Sequence, residues 1–313
     1  MRALGPVLFA VLLAVASGAS AQAPPFVGGE IDQDTLLERI TRGYPREMRQ
    51  VGTTSVTLRT ELGAIRVAYK PRTDSHPYGY LAEIAAYRVA RRLEMDNVPP
   101  AIGLRIPRRV MQTAYEAYDR NPEWEPIRRN VRWDGLGMTR GAAIYWIPSM
   151  RATELSTEDG IDAVASWLRV DGEVPEGSED VARDLSTLFA YDYLIGNWDR
   201  LSGGNVSTTP EGDRLFVRDH NVAFNAPLTD QRYDRIRGNL ERVQRFSRSF
   251  LVHVAAADEA ALRAAVDADP LSEDVPILAP AQIEGFEKRR RALLSYVGAL
   301  ISVYGADRVI AWP

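Results

Sequence analysis

Tyr191-Asp-Tyr-Leu-Ile-Gly-Asn-Trp-Asp-Arg-Leu-Ser-Gly-Gly-Asn205, followed by Arg214-Leu-Phe-Val-Arg-Asp219-His-Asn221, is the stretch on which the reading of this chain turns. An apolar helical run ends in a polar loop that holds Asp199 and Asn205. A short β-type run, Leu215-Phe216-Val217, then delivers a second carboxylate at Asp219. Moving a phosphoryl group requires a carboxylate to accept a hydroxyl proton and hard oxygen ligands to hold Mg²⁺ or Mn²⁺ against the phosphates. An Asp, an Asn and a strand-borne Asp within 21 residues supply that set. The same three residues also read as two turn formers and a helix cap.

Working upstream, Val181, Leu185, Leu188, Phe189 and Leu194 form the apolar stripe of the helix that presents the loop. Further back the cations are informative. Lys and Arg total 38, yet Lys70 and Lys288 are the only lysines. Lys288 lies in Lys288-Arg-Arg-Arg291 and reads as part of a solvated helix face, whereas Lys70 ends the apolar strand Ile65-Arg-Val-Ala-Tyr-Lys70. A compact ammonium and a guanidinium are not interchangeable where a point charge must reach a phosphate. Tyr80 to Met95 has the stripe of a helix, and the reading sets Glu83 in its first turn, where it can aim at Lys70 or favour the helix dipole. Asn97-Val-Pro-Pro100 ends that helix, because the residue before proline avoids the helical region.

The remaining elements follow from periodicity and punctuation. Asp32 to Met48 is expected as a helix, and Thr54 to Tyr69 as two strands joined at Glu61-Leu62-Gly63. Ile102 to Arg109 and Gly141 to Ile147 are expected strands, separated by a polar insertion from Met111 to Arg129. Ser156 to Trp167 is an expected helix, and Asp171 to Ser178 a loop. Thr229 to Ser249 carries six arginines from Arg232 to Arg248 and reads either as a solvated helix face or as a basic face for an acidic substrate. Helices over Glu259 to Val266 and Pro280 to Tyr304 close the chain, the last with Phe286, Leu293, Leu294, Val297 and Ile301 toward the core.

Composition bounds the function. A chain of 313 residues with 45% hydrophobic and 26% charged residues has the makings of an ordinary globular core. A formal charge of −4 gives no basis for a nucleic-acid partner. The absence of cysteine excludes disulfides, thiolate metal sites and a cysteine nucleophile, and three scattered histidines leave little material for a zinc site or a Ser-His-Asp triad. Arg2, the apolar run Val7 to Val15 and Ala19-Ser-Ala21 read as a cleavable leader. The expectation is an exported protein, periplasmic or secreted, with no membrane span in the mature chain.

Several of these segments resemble one family. Lys70-Pro71, Ala82-Glu-Ile-Ala-Ala-Tyr-Arg-Val-Ala-Arg-Arg-Leu93 and Val98-Pro-Pro100 resemble the lysine strand, αC-type helix and Val-Pro-Pro turn of the secretory-pathway kinases of the Golgi casein kinase and four-jointed type. Tyr191 to Arg200 is similar to their catalytic segment, in which an Asp-Phe/Tyr-Leu run leads to Gly-Asn-x-Asp-Arg. The resemblance implies an exported relative of bacterial type with a two-lobed protein-kinase-like α+β fold. Its parts would be a leader over 1–21, a lead-in helix over 22–50, a small β-rich N-lobe over 51–148 and a mainly helical C-lobe over 149–313.

By the same resemblance, Lys70 contacts ATP phosphates, and Glu83 holds Lys70 or shares in metal binding. Asp199 is the catalytic base, and Asp219 with Asn205 holds Mg²⁺ or Mn²⁺. The implied activity is ATP-dependent phosphoryl transfer to a hydroxyl of a protein or glycan, with a nucleotide-binding pseudokinase or scaffold as the alternative. Two features depart from the pattern. Asn205 lies one residue further from Asp199 than the kinase loop H-R-D-x-x-x-x-N allows, an excess that Ser202-Gly-Gly204 can absorb. Asp219 is followed by His220-Asn221 rather than by Asn-Gly or Phe-Gly.

Overall fold

A computed structural model of the chain describes residues 25–27, 29–51 and 55–313, so the leader expected over 1–21 lies outside the described residues. The first helix, α1 (Gln33–Arg42), starts where the Asp32 carboxylate accepts the Thr35 N–H at 2.9 Å, and it buries Leu36, Leu37 and Ile40. It is shorter than the helix expected over Asp32 to Met48. The chain turns at Gly43, and β1 (Pro45–Gln50) pairs antiparallel with β2 (Leu58–Leu62). Sheet pairing therefore overrides the local helical pattern of this segment.

Strand β3 (Ile65–Pro71) follows β2 across a two-residue turn in which Gly63 is left-handed. Helix α2 (Gly79–Arg92) is buried over every residue from Gly79 to Ala90. It has no acid in its first turn, so Glu83 sits one turn deeper than the sequence indicated. Strand β4 (Ala101–Pro107) comes next. The expected polar insertion contains two helices, α3 (Arg108–Glu116) and α4 (Trp124–Asn130). Between them Asn121 accepts the Gln50 N–H at 3.0 Å and donates to the Met48 carbonyl at 2.6 Å. It thereby satisfies the open edge of β1, which would otherwise invite pairing with another chain. Strand β5 (Met138–Tyr145) completes a five-stranded antiparallel sheet in the order β1-β2-β3-β5-β4, which places β3 at the centre.

The second lobe is mainly helical. Strand β6 (Arg151–Ala152) leads into the segment expected as one helix over Ser156 to Trp167. That segment is a 3₁₀ turn, the short α5 (Glu158–Ala163) and another 3₁₀ turn, with Thr157 capping α5 through its hydroxyl. Helix α6 (Glu179–Ile195) lies in the middle of the lobe, buried on nearly every side. Strands β7 (Val206–Thr208) and β8 (Leu215–Val217) join β6 in a small antiparallel sheet beside it. The arginine-rich segment splits into α7 (Asp230–Glu241) and α8 (Arg248–Ala256), joined by a buried turn at Val243 and Phe246. Helices α9 (Glu259–Asp267), α10 (Pro280–Tyr304) and α11 (Ala306–Val309) finish the chain. On α10, Phe286, Leu293 and Val297 are buried, whereas Leu294 and Ile301 pack at the margin of the core.

The fold is thus α+β and two-lobed, with an antiparallel sheet and its α2 helix above a helical body. Both lobes share a continuous apolar core. The Tyr191 hydroxyl on α6 donates to the Ala86 carbonyl on α2 at 2.7 Å, and the Val217 N–H donates to the Asn97 carbonyl at 3.0 Å. No helix among the described residues is long and apolar enough to cross a membrane.

Candidate active site

The alternation of β3 sets the first component. Ile65, Val67 and Tyr69 are buried on one face, so Ala68 and Lys70 share the other. Opposite Lys70 on β5 stands Ala142, whose methyl group leaves the lysine room to extend over the sheet. Its Nζ donates to Glu83 Oε1 at 2.5 Å and to Asp219 Oδ1 at 2.9 Å. The side chains of Lys70, Glu83 and Asp219 are 16%, 3% and 41% exposed, so the acid on α2 is sealed and the acid after β8 faces solvent.

Electrostatics follow from this burial. Burial alone would lower the Lys70 pKa, but Glu83 and Asp219 beside it raise it above the ordinary lysine value. Burial would likewise raise Glu83, yet Lys70 and a hydrogen bond from His220 hold it well below the usual carboxylate range. His220 is itself buried, with Nδ1 3.5 Å from Glu83 Oε2 and its ring edge-on to Tyr191. The residue that departs from the family pattern after Asp219 therefore supports the second oxygen of Glu83.

Two acids buried on α6 position the rest. Asp184 accepts Arg214 Nε at 2.8 Å and the Leu215 N–H at 3.0 Å, which fixes the start of β8. Two turns along, Asp192 takes both arms of Arg200, Nε at 2.8 Å and Nη2 at 2.9 Å. Arg200 is 1% exposed, and its Nη1 donates to the carbonyls of Asn205 and Arg218. One guanidinium thus ties the loop that holds Asp199 to the residue before Asp219. A buried charge needs such a partner and such acceptors to be tolerable. Asp219 itself adopts φ +57°, a left-handed conformation that a non-glycine residue takes at an energetic cost and that recurs at functional sites.

Asn205 donates through Nδ2 to the Asp199 carbonyl at 2.9 Å and to Ser202 Oγ at 3.2 Å. Gly203 and Gly204 between them both have positive φ, and this turn brings Asn205 back to the Asp199 carbonyl. The Asp199 carboxylate is half-buried and makes no hydrogen bond or ion pair among the described residues.

These groups border a cleft of about 300 Å³ between the lobes. Ala68, Val98, Ala101, Ile144, Ile147 and Met150 make one end apolar, while Lys70, Glu83, Asn205 and Asp219 make the other polar. Four of the five site residues expected from sequence therefore meet at one cavity. Asp199 does not line it and joins it through its backbone bond to Asn205. Among the described residues no three His, Asp or Glu side chains form a metal cage. The oxygen donors at the polar end fit a cation that takes one or two carboxylates and completes its shell from substrate phosphates. Sequence reasoning missed the Asp192–Arg200 clamp, the Asp184–Arg214 pair and the contact of His220 with Glu83. Its only signal for the first was an acid and an arginine flanking an apolar helix end.

No family model matches the chain, and no curated protein matches it in sequence. Solved structures do match. The Golgi casein kinase with Mn and ADP bound aligns over 89% of this chain and 78% of its own, with TM-score 0.61 and 16% identity. A hydra Fam20 protein solved with sugar aligns over 92% and 95%, with TM-score 0.68 and 16% identity. The chain has a secretory-kinase-like fold. At such identity the likeness is one of fold.

Proposed function

We propose that the chain is an exported ATP-dependent kinase that transfers a phosphoryl group to a hydroxyl of a protein or glycan. The observation that carries this reading is the single hydrogen-bonded chain Glu83–Lys70–Asp219 at the polar end of the cleft, built from three separate elements. The Golgi casein kinase of the same fold was solved with Mn and ADP, which supports ATP with Mg²⁺ or Mn²⁺ here.

In this reading the adenine end of ATP occupies the apolar part of the cleft, and Lys70, oriented by Glu83, neutralises charge on the phosphates. Asp219 and Asn205 hold Mg²⁺ or Mn²⁺, which supplies further charge neutralisation when bound. Asp199, whose carboxylate has no partner among the described residues, accepts the proton of the acceptor hydroxyl as its oxygen bonds to the γ-phosphorus. The bond from that phosphorus to the β-phosphate oxygen breaks, and ADP leaves.

The test is transfer from γ-labelled ATP to a panel of proteins and glycans. Asp199→Ala and Asp219→Ala each abolish transfer, and Lys288→Ala does not. Full metal-dependent activity in Asp219→Ala would remove the metal assignment. A second reading, a nucleotide-binding pseudokinase or scaffold, draws on His220-Asn221 after Asp219 and on the direct Lys70–Asp219 bond. ATP-dependent stabilisation without any transfer would favour it.

A further inference from the structure

Two residues beyond Lys70, and on the same face of the sheet, Arg72 is flanked by arginines on both sides. Its N–H donates to the Arg140 carbonyl at 2.7 Å, and its carbonyl accepts the Arg132 N–H at 2.9 Å. One strand further, Arg105 stands opposite Arg140 in the β4–β5 register. Residues directly opposite one another across antiparallel segments share a face, and like charges so placed destabilise the pairing. Four arginines in a row therefore require compensation.

The compensation is incomplete. Arg105 pairs with Asp134 and Asp274, each at 3.2 Å, and Arg132 pairs with Asp74. Arg140 reaches Asp274 only at 3.8 Å. Arg72 has no carboxylate partner among the described residues, and the buried Nε atoms of both Arg72 and Arg140 lack an acceptor. Arg72, Arg132 and Arg140 line a cavity of about 130 Å³ with Trp133 and Asp134. The one acid there is already engaged: Asp134 Oδ1 accepts the N–H groups of Leu136 and Met138, and Oδ2 accepts Arg105. A buried guanidinium N–H without an acceptor is costly, and three guanidinium forks around one small cavity match the oxygens of a tetrahedral anion.

We propose that this cavity binds a phosphate group, either the free ion or a phosphate monoester. The ligand's oxygens face the arginines that line the cavity and relieve repulsion along the row. Burial raises the Tyr80 phenol pKa and Arg72 and Arg140 pull it back, so both cations act on the first turn of α2. A phosphate held here sits against the end of β3, through Arg72, and against β5, through Arg140. The site is separate from the cleft, and its case does not depend on the chemistry proposed there.

The experiment is thermal unfolding of the whole chain at pH 8 and fixed ionic strength. It compares chloride, inorganic phosphate, and a phosphoserine peptide with its unphosphorylated form. Saturating phosphate or phosphopeptide raises the wild-type Tm over its control by about 3 °C or more. Arg72→Gln loses that rise while its ligand-free Tm equals or exceeds the wild-type value, because a like charge has left the row. Lys70→Met keeps the rise, which separates this cavity from the cleft. Should Arg72→Gln fail to fold, the exposed Arg132→Gln provides the same comparison with a diminished rise. A larger response to the phosphopeptide assigns the site to a phosphorylated side chain, and an equal one to the free ion; both support the proposal. No phosphate-specific rise in the wild type overturns it. So does a rise that persists undiminished in Arg72→Gln and Arg132→Gln, or one lost in Lys70→Met.

Discussion

Lys70 is held between two carboxylates of unequal exposure, and that inequality divides their work. Glu83 is sealed, so its charge depends on Lys70 and His220, whereas Asp219 keeps a solvent-facing side from which it can meet a ligand. The pKa of Glu83 is depressed in the folded chain from an ordinary value of 4.5, so its contribution to stability is present at neutral pH and is lost as the pH falls below that value. Chemical denaturation at pH 7 and pH 4 therefore gives wild type a larger acid-induced loss of stability than Glu83→Gln. At pH 7 Glu83→Gln itself costs on the order of 3 kcal/mol, since Lys70 keeps only Asp219. Lys70 was legible in the sequence because its neighbours in composition are almost all arginine. The role of His220 was not: a histidine in place of asparagine or phenylalanine reads as a departure until its contact with Glu83 is seen.

At the scale of elements, α6 does most of the positioning. Its two buried acids face opposite ends of β8, one through Arg214 and one through Arg200, so the helix sets the strand from which Asp219 emerges. Arg200→Ala would leave Asp192 buried without its charged partner, keeping only the neutral Asn197 amide, and would remove a donor from the carbonyls of Asn205 and Arg218. The expected cost is about 3–5 kcal/mol, read by urea denaturation, with the proposed transfer activity lost before the fold is. On the other lobe, Gly141 is required by close approach. A Cβ there would stand 2.6 Å from the Tyr69 ring and 2.7 Å from the Lys70 carbonyl. Gly141→Ala is expected to destabilise by about 1–3 kcal/mol and to displace the lysine strand.

Periodicity identified α2, α6, α10 and the β2–β3 pair, since each carries its own apolar pattern. It misread the segment from Pro45 to Gln50, whose strand state comes from pairing with β2 rather than from its own residues. The arginine row was equally hidden. Positions 72, 105, 132 and 140 are far apart in sequence and adjacent only through sheet register.

For the whole molecule, the cleft exists because two lobes are joined by an apolar core and a few directed bonds. Tyr191→Phe removes the hydroxyl that bonds the Ala86 carbonyl on α2 and should cost about 1 kcal/mol in thermal or urea unfolding. The larger consequence is looser registration of Glu83 over the loop, seen as weaker nucleotide affinity. The measurement that bears most directly on the account is calorimetric titration of ATP with and without Mn²⁺, into wild type and the isosteric Asp219→Asn. The account expects wild type to bind ATP at least tenfold more tightly with Mn²⁺ and Asp219→Asn to lose that gain. Binding that is indifferent to the cation in wild type, or a full Mn²⁺ gain in Asp219→Asn, would contradict it.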